Sequence, residues 1–257
     1  QVIEKYYPAS MGSGWTLAGV RQSGRHPAEL PLAQYSVEKW LNLDEALDAD
    51  TGYIQAGNLR LARSEEEVKK VVSDYVATNP IHILINNTGG PPGGPVADAK
   101  EEEFYSAFTN HLINNHNLVT AVKQSMIDGG YGRIINVIST SVKIPLTGLG
   151  VSNTIRGAVA NWSKTLANEL GIHQITVNNV LPGATETERL TSIISNKASK
   201  SGATEETVAA TMASAVPMNR FAKPEEVANA IAFLASPAAA YINGINVPVD
   251  GGRTGSL

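Results

Sequence analysis

The run Ile134-Ile135-Asn136-Val137-Ile138-Ser139, followed thirteen residues after Ser139 by Ser152-Asn153-Thr154-Ile155-Arg156, decides how this chain is read. The first part is β-branched and apolar around a single Asn, the composition of a buried strand, and it ends in a hydroxyl. The second part opens a helix that continues through Gly157-Ala158-Val159-Ala160-Asn161-Trp162 to Leu170. A buried strand feeding a helix is a βα unit, and such units build parallel sheets.

The alternation repeats on both sides. Val68, Val71, Val72, Tyr75 and Val76 fall at helical spacing over 65–78, and 81–85 is an apolar strand ending at Asn86-Asn87-Thr88-Gly89-Gly90. A helix is predicted over 101–127, then the strand 133–138, the helix 150–170 and the strand 176–181, closed by Pro182-Gly183. Residues 204–215 and 224–235 read as helices, the second with Pro224 in its first turn and Glu225 and Glu226 favouring the helix dipole. A last strand, 245–249, ends at Asp250-Gly251-Gly252. The expected class is α/β: a doubly wound parallel sheet in three layers, α/β/α, with right-handed crossovers.

Composition narrows the function classes. With 257 residues, 42% hydrophobic and 17% charged, the chain has the make-up of a globular protein with a large core. A net charge of -4 gives no electrostatic reason for a nucleic acid or an anionic membrane as partner. The absence of cysteine excludes disulfides, thiolate metal sites and Cys nucleophiles. No His/Asp/Glu grouping has metal-ligand spacing, so no metal is expected. No run approaches the ~18 apolar residues of a membrane span and the N-terminus lacks a signal-peptide pattern, so a cytoplasmic protein is expected.

Four stretches carry a resemblance to the short-chain dehydrogenase/reductase family across residues 65–257: Asn86-Asn87-Thr88-Gly89, Val177-Asn178-Asn179-Val180-Leu181-Pro182-Gly183, Arg220-Phe221 with Pro224-Glu225-Glu226-Val227, and Val249-Asp250-Gly251-Gly252. They occur in the family's order and spacing. The resemblance implies a Rossmann-like fold, NAD or NADP as cofactor, a small-molecule carbonyl or hydroxyl substrate, and a homo-oligomer (tetramer or dimer) assembled through the helices near 101–127 and 150–170.

It also implies a site, and here the chain departs from the pattern. The family follows its strand-end Ser with Tyr-x-x-x-Lys; this chain has Ser139 followed by Ser152 and Arg156. Ser139 keeps the substrate-orienting role. An aliphatic hydroxyl at Ser152 is far less acidic than a phenol, and Arg156 keeps the positive charge for the cofactor ribose without joining a proton relay as Lys does. The family's Asn of the preceding helix, seven residues after Phe104, is His111. With a reference pKa of about 6.5, His111 is the candidate proton donor; its bland alternative is a hydrogen-bonded helix-interior histidine. Asn87, Gly89, Pro182, Gly183 and Thr185, with Arg156, are the candidate cofactor-binding residues. Gly89-Gly90-Pro91-Pro92-Gly93-Gly94-Pro95 is expected near the nicotinamide end, and 186–203 at the family's variable substrate lid. In the family Thr88 is usually Ala.

Residues 1–64 lack the expected Thr-Gly-x-x-x-Gly-x-Gly after a first strand, the loop whose N–H groups hold a pyrophosphate. Gly12-Ser13-Gly14 with Gly19 is the nearest approach, and Pro8 argues against a strand before it. Val2-Ile3-Glu4-Lys5, Ala18 to Arg25, Thr51-Gly52-Tyr53 and Gly57 to Arg63 instead resemble a fragment of the FAD-dependent D-amino-acid/sarcosine oxidase family. That fragment lacks its own phosphate-binding glycines and substrate domain, so FAD is not expected. Tyr35-Ser36-Val37-Glu38-Lys39 matches Tyr-x-x-x-Lys but precedes the Asn-Asn-Thr-Gly strand and reads as one helix face. Three functions remain open: an NAD(P)-dependent oxidoreductase with an atypical site, an impaired relative acting by binding or oligomerisation, and an FAD-linked amine oxidase fragment.

Overall fold

The computed structural model describes residues 2–4, 58–60 and 74–256. The glycines at 12–19, the Tyr35–Lys39 stretch, Ala18–Arg25, Thr51–Tyr53 and most of the 65–78 helix lie outside the described residues; 74–76 are helical. Val2–Glu4 (β1) and Asn58–Arg60 (β2) pair in parallel as a two-stranded sheet.

The main sheet has Ile83–Asn87 (β3), Gly132–Val137 (β4), Ile175–Pro182 (β5) and Asn246–Val249 (β6), in that order and all parallel. The connections carry Glu101–Phe108 (α1) and Asn114–Asp128 (α2), Gly150–Leu170 (α3), and Glu188–Ser201 (α4), Glu205–Ser214 (α5) and Pro224–Ala235 (α6). One face packs on α2 and α3 through Leu84, Val122, Met126, Ile134, Ala167 and Val177. The other packs on α6 through Ile135, Val180, Val227 and Leu234. Adjacent β4 residues Ile134 and Ile135 therefore serve opposite cores, the two-faced burial inferred from the apolar run.

Two boundaries differ from the periodicity. The strand expected at 81–85 starts at Ile83, because the Ile81 N–H is taken by Ser125 Oγ (2.7 Å) instead of a strand partner. It runs on through Asn86 and Asn87, which pair with Asn136 and Val137. The helix expected at 101–127 runs without a break to Asp128, but it winds through a π-helical segment at Thr109–Ile113, which divides α1 from α2. A π-bulge pushes one residue out of the regular helical repeat, and such segments cluster at functional sites.

A polar ladder crosses the sheet. Asn86, Asn136, Asn179 and Asn246 share one register on successive strands. Their amides connect in one direction: Asn86 Nδ2 to Asn136 Oδ1 (2.8 Å), Asn136 Nδ2 to Asn179 Oδ1 (3.0 Å), and Asn179 Nδ2 to Asn246 Oδ1 (2.8 Å). Ser163 of α3 accepts a second bond from Asn136 (3.2 Å). The ladder runs through the carboxyl ends of β3 and β4, the middle of β5 and the first residue of β6, and so ties together the four strands whose following loops carry the candidate site. Pro248 sits on β6, at the outer edge of this sheet, the place where a strand tolerates a missing donor. Among the described residues no helix is long and apolar enough to cross a membrane.

Candidate active site

Every candidate residue lies at or beyond the carboxyl end of a strand, or on the α1–α2 and α3 helices that pack there. Thr88 to Gly90 follow β3, Ser139 follows β4, and Pro182, Gly183 and Thr185 end or follow β5. Flanking core residues hold them. Leu112, next to His111, packs with Ile138, next to Ser139, and with Val159 of α3. Val151 and Ile155, next to Ser152 and Arg156, pack with Ala107 of α1.

Ser139 caps the short turn Thr140–Val142, its Oγ accepting the Ser141 N–H at 3.1 Å. That bond uses an acceptor lone pair and leaves the hydroxyl proton available for a carbonyl oxygen. Ser152 is buried in the first turn of α3, one turn ahead of Arg156 on the same buried face.

Arg156 is buried, and its guanidinium is taken up by the protein. Nη1 donates to Val137 O (3.1 Å) and to Thr88 Oγ1 (3.5 Å); Nη2 donates to Gly89 O (2.9 Å) and Thr88 O (3.3 Å). It therefore ties the loop after β3 to the end of β4, a task the sequence did not announce. Burial, with the Arg189 cation adding to it, lowers its pKa to about 10, so it is still a cation at neutral pH. Arg189, in the first turn of α4, lays its guanidinium where a side chain at Gly90 would stand and donates to Gly90 O (3.4 Å).

His111 is buried at 4% exposure inside the π-helical segment, its Nδ1 in a short hydrogen bond with Thr88 Oγ1. It also lines a cavity of about 330 Å³ with Gly89 to Pro92, Ser106 and Asn110. The Gly- and Pro-rich loop that roofs this cavity is pinned to the start of α3: Gly94 N–H to Gly148 O (2.7 Å) and Gly150 N–H to Gly94 O (3.1 Å). A Cβ on Gly150 would strike the backbone of Val96, so only glycine allows this approach.

The β5 side is equally close-packed. A Cβ on Gly183 would stand 2.9 Å from the Asp250 Cα. Thr185 Oγ1 donates to Gly183 O (3.2 Å) and Thr187 Oγ1 to Thr185 O (3.2 Å). Asn87 is exposed and Gly89, Pro182 and Thr185 are half-buried, so all four border open space at the sheet edge. This edge fits the nicotinamide half of a dinucleotide: accessible backbone and hydroxyls beside a buried cation, at the strand ends where such ligands bind. Gly12-Ser13-Gly14 with Gly19, the nearest approach in the sequence to a pyrophosphate loop, lies outside the described residues.

Sequence reasoning brought Ser139, Ser152, Arg156 and His111 to one end of the sheet. It missed Thr88 and Arg189. Thr88 was visible as a departure from the usual Ala, and its significance lay in coinciding with two other polar departures, at 111 and 156.

Comparison with known proteins agrees with this architecture. The family profile described as enoyl-(acyl carrier protein) reductase matches residues 33–254. The 3-oxoacyl-(acyl-carrier-protein) reductase FabG of Vibrio cholerae serotype O1 is 34% identical over 203 residues, 79% of this chain and 78% of that protein. The NADPH-dependent reductase BacG of Bacillus subtilis is 30% identical over 177 residues, 69% of this chain and 68% of that protein. Among solved structures, L-sorbose reductase from Gluconobacter frateurii, complexed with NADPH and L-sorbose, superposes with a TM-score of 0.74 at 27% identity, covering 91% of this chain and 86% of that one.

Proposed function

The chain belongs to the short-chain dehydrogenase/reductase family, and we propose that it is an NAD(P)-dependent reductase of a small carbonyl compound in which His111, not a tyrosine, meets the substrate oxygen. The oxidoreductase class and NAD(P) dependence follow from the family. One observation carries the finer reading: at the position of the missing relay Asn stands a buried histidine, hydrogen-bonded to Thr88 and lining a cavity beside the strand ends.

NAD(P)H, when bound at this edge, would supply the hydride for the carbonyl carbon. Ser139 donates its free hydroxyl proton in a hydrogen bond to the carbonyl oxygen, and His111 supplies a second donor to the same oxygen. Ser152 adds a hydroxyl on the facing helix without a phenol's acidity. Arg156 serves the cofactor side by holding Thr88 and Gly89 in place and by its positive charge. Asn87, Gly89, Pro182, Gly183 and Thr185 border the cofactor. We further propose a homo-oligomer through α1–α2 and α3, supported by the exposed apolar Tyr105 and Phe108 on α1; light scattering showing a monomer would refute that part.

The test has two stages. Titration with NAD(H) and NADP(H), followed by fluorescence or thermal shift, should show binding of at least one. Reduction of a panel of small ketones should then fall about 10²-fold or more in Ser139→Ala and in His111→Ala, with cofactor affinity kept. Unchanged rates in both variants would place the site elsewhere.

A further inference from the structure

We infer that the Thr88 hydroxyl is a positioning group that fixes His111 as a neutral imidazole with its proton on Nε2, so that the ring serves the substrate oxygen as a hydrogen-bond donor and keeps its proton. This rests on the reading of His111 as the group that meets the substrate oxygen.

A threonine hydroxyl has one proton to give and two lone pairs to accept with. Thr88 is buried, at 8% exposure, and its Oγ1 has two partners among the described residues: Arg156 Nη1 and His111 Nδ1. A guanidinium only donates, so Thr88 accepts from Arg156. The Thr88 proton then has Nδ1 as its acceptor, and a nitrogen that accepts carries no proton. The opposite arrangement, an imidazolium with Nδ1–H aimed at Thr88, leaves a buried hydroxyl proton without an acceptor among the described residues. It also places a second cation one hydroxyl away from Arg156.

Among the described residues, Arg156 from α3 shares the Thr88 hydroxyl with the ring, and Glu102 and Glu103 from α1 line the same cavity as His111. The Arg156 guanidinium is bonded to three carbonyls and a hydroxyl, with no carboxylate among them. The Glu103 carboxylate is turned back to accept the Lys100 N–H at 2.8 Å. Thr88 itself cannot drift, because Arg156 holds its carbonyl and Asn86, two residues earlier, is locked in the ladder. Thr88, His111 and Arg156, three of the four departures from the family pattern, thus form one connected set.

The chemistry changes accordingly. When the carbonyl carbon takes a hydride with its electron pair, a C–H bond of the reduced nicotinamide and the C=O π bond break, the nicotinamide is oxidised, a new C–H bond forms and the oxygen becomes an alkoxide. Nε2–H and the Ser139 O–H hold that charge by hydrogen bonds. The alkoxide takes its proton from water, and the hydroxide left behind is neutralised by buffer. A neutral imidazole is a poor acid but a good preorganised hydrogen-bond donor.

Ring ¹⁵N spectra of the full-length protein test the assignment without cofactor or turnover, the His111 signals being identified by their loss in His111→Asn. Wild type should show an unprotonated Nδ1 and a protonated Nε2 across about pH 6 to 8, the range spanning the ordinary imidazole midpoint. Thr88→Val should lose this preference and Thr88→Ser should restore it. With cofactor and a substrate, kcat should be flat over the same range, fall about tenfold in Thr88→Val with KM little changed, and recover in Thr88→Ser. A wild-type His111 that titrates as an imidazolium in this range, or a Thr88→Val protein with an unchanged tautomer, overturns the inference. Full turnover in His111→Ala would instead sink the catalytic reading beneath it, and the spectra alone would then decide what Thr88 does.

Discussion

Asn136→Leu should be among the most destabilising near-isosteric changes in the main sheet. The side chain is fully buried and occupies the middle of the ladder, accepting from Asn86 and donating to Asn179 and Ser163. Leucine removes three hydrogen bonds and strands two strong groups, Asn86 Nδ2 and Asn179 Oδ1, where neighbouring strands block water. Asn86 Oδ1 already lacks a partner among the described residues, so the Asn86 amide would lose all its side-chain bonds. At about 1–3 kcal/mol for each stranded buried group, the expected loss is about 3–5 kcal/mol. For a domain of this size that lowers Tm by roughly 10 °C. Asn136→Asp gives an independent check, because it keeps the acceptor toward Asn86 but sets an anionic oxygen against Asn179 Oδ1. Its burial raises the carboxyl pKa in the folded state, so the penalty should be full at neutral pH and shrink as pH falls and the carboxyl gains a proton to donate. Urea unfolding monitored by fluorescence, with the slope compared as well as the midpoint, provides the measurement. A loss below about 1 kcal/mol in Asn136→Leu would refute the claim that the ladder is stabilising.

Three further outcomes follow from the same structure. Gly150→Ala should destabilise by about 1–3 kcal/mol and raise KM, since the new methyl meets the Val96 backbone and pushes the cavity roof off α3; unchanged melting and KM would show that the loop yields freely. Arg156→Lys should lower Tm, because one ammonium cannot reach carbonyls of Val137, Thr88 and Gly89 together; a wild-type melting curve would refute the anchoring role. The Arg220–Glu226 pair, bidentate at 2.7 Å, holds the Glu226 carboxyl down at about 2 through the Arg220 hydrogen bonds and the Lys223 N–H. Its folded pKa lies below the ordinary carboxylate value, so its stabilisation is present above that value and disappears as pH falls toward 2. Glu226→Gln should therefore make the acid limb of the stability curve shallower between about pH 5 and pH 2, an effect that salt weakens because both groups are exposed.

Most of the fold was legible because each element announces itself locally. The helices at 150–170 and 224–235 have the expected ends, and the four main strands lie within two residues of theirs, since apolar runs and helical spacing are short-range signals. The helix at 188–201 was read only as a variable lid, although Leu190 and Ala198, both buried, already marked a helical face. The site was half legible. Strand-end residues follow from the parallel sheet, but side-chain partnerships do not. Thr88 and His111 are 23 positions apart and Thr88 and Arg156 are 68 apart, and no periodicity links them. The ladder was hidden in the same way: Asn86, Asn136, Asn179 and Asn246 are scattered polar residues of separate strands, and their common register appears only when the strands are laid side by side.

These partnerships also explain why Tyr-x-x-x-Lys is not simply a missing pair to be put back. In this chain the positive charge at 156 is spent on the protein, closing Val137, Thr88 and Gly89 around a guanidinium whose planar fork matches several carbonyls at once. A lysine there would free the loop after β3 and leave Thr88 without its donor. The Thr88 proton would then no longer be directed at His111 by elimination, and the ring would be free to change tautomer. Ser152→Tyr with Arg156→Lys should consequently restore little ketone reduction on its own. The pair should gain activity only when Thr88→Ala and His111→Asn are added, returning all four positions to the family pattern. Comparing the double and quadruple variants by kcat, at matched cofactor occupancy, measures that coupling directly. If the double variant already turns over as fast as the quadruple one, the four positions act independently and the connected set described here is only a packing arrangement.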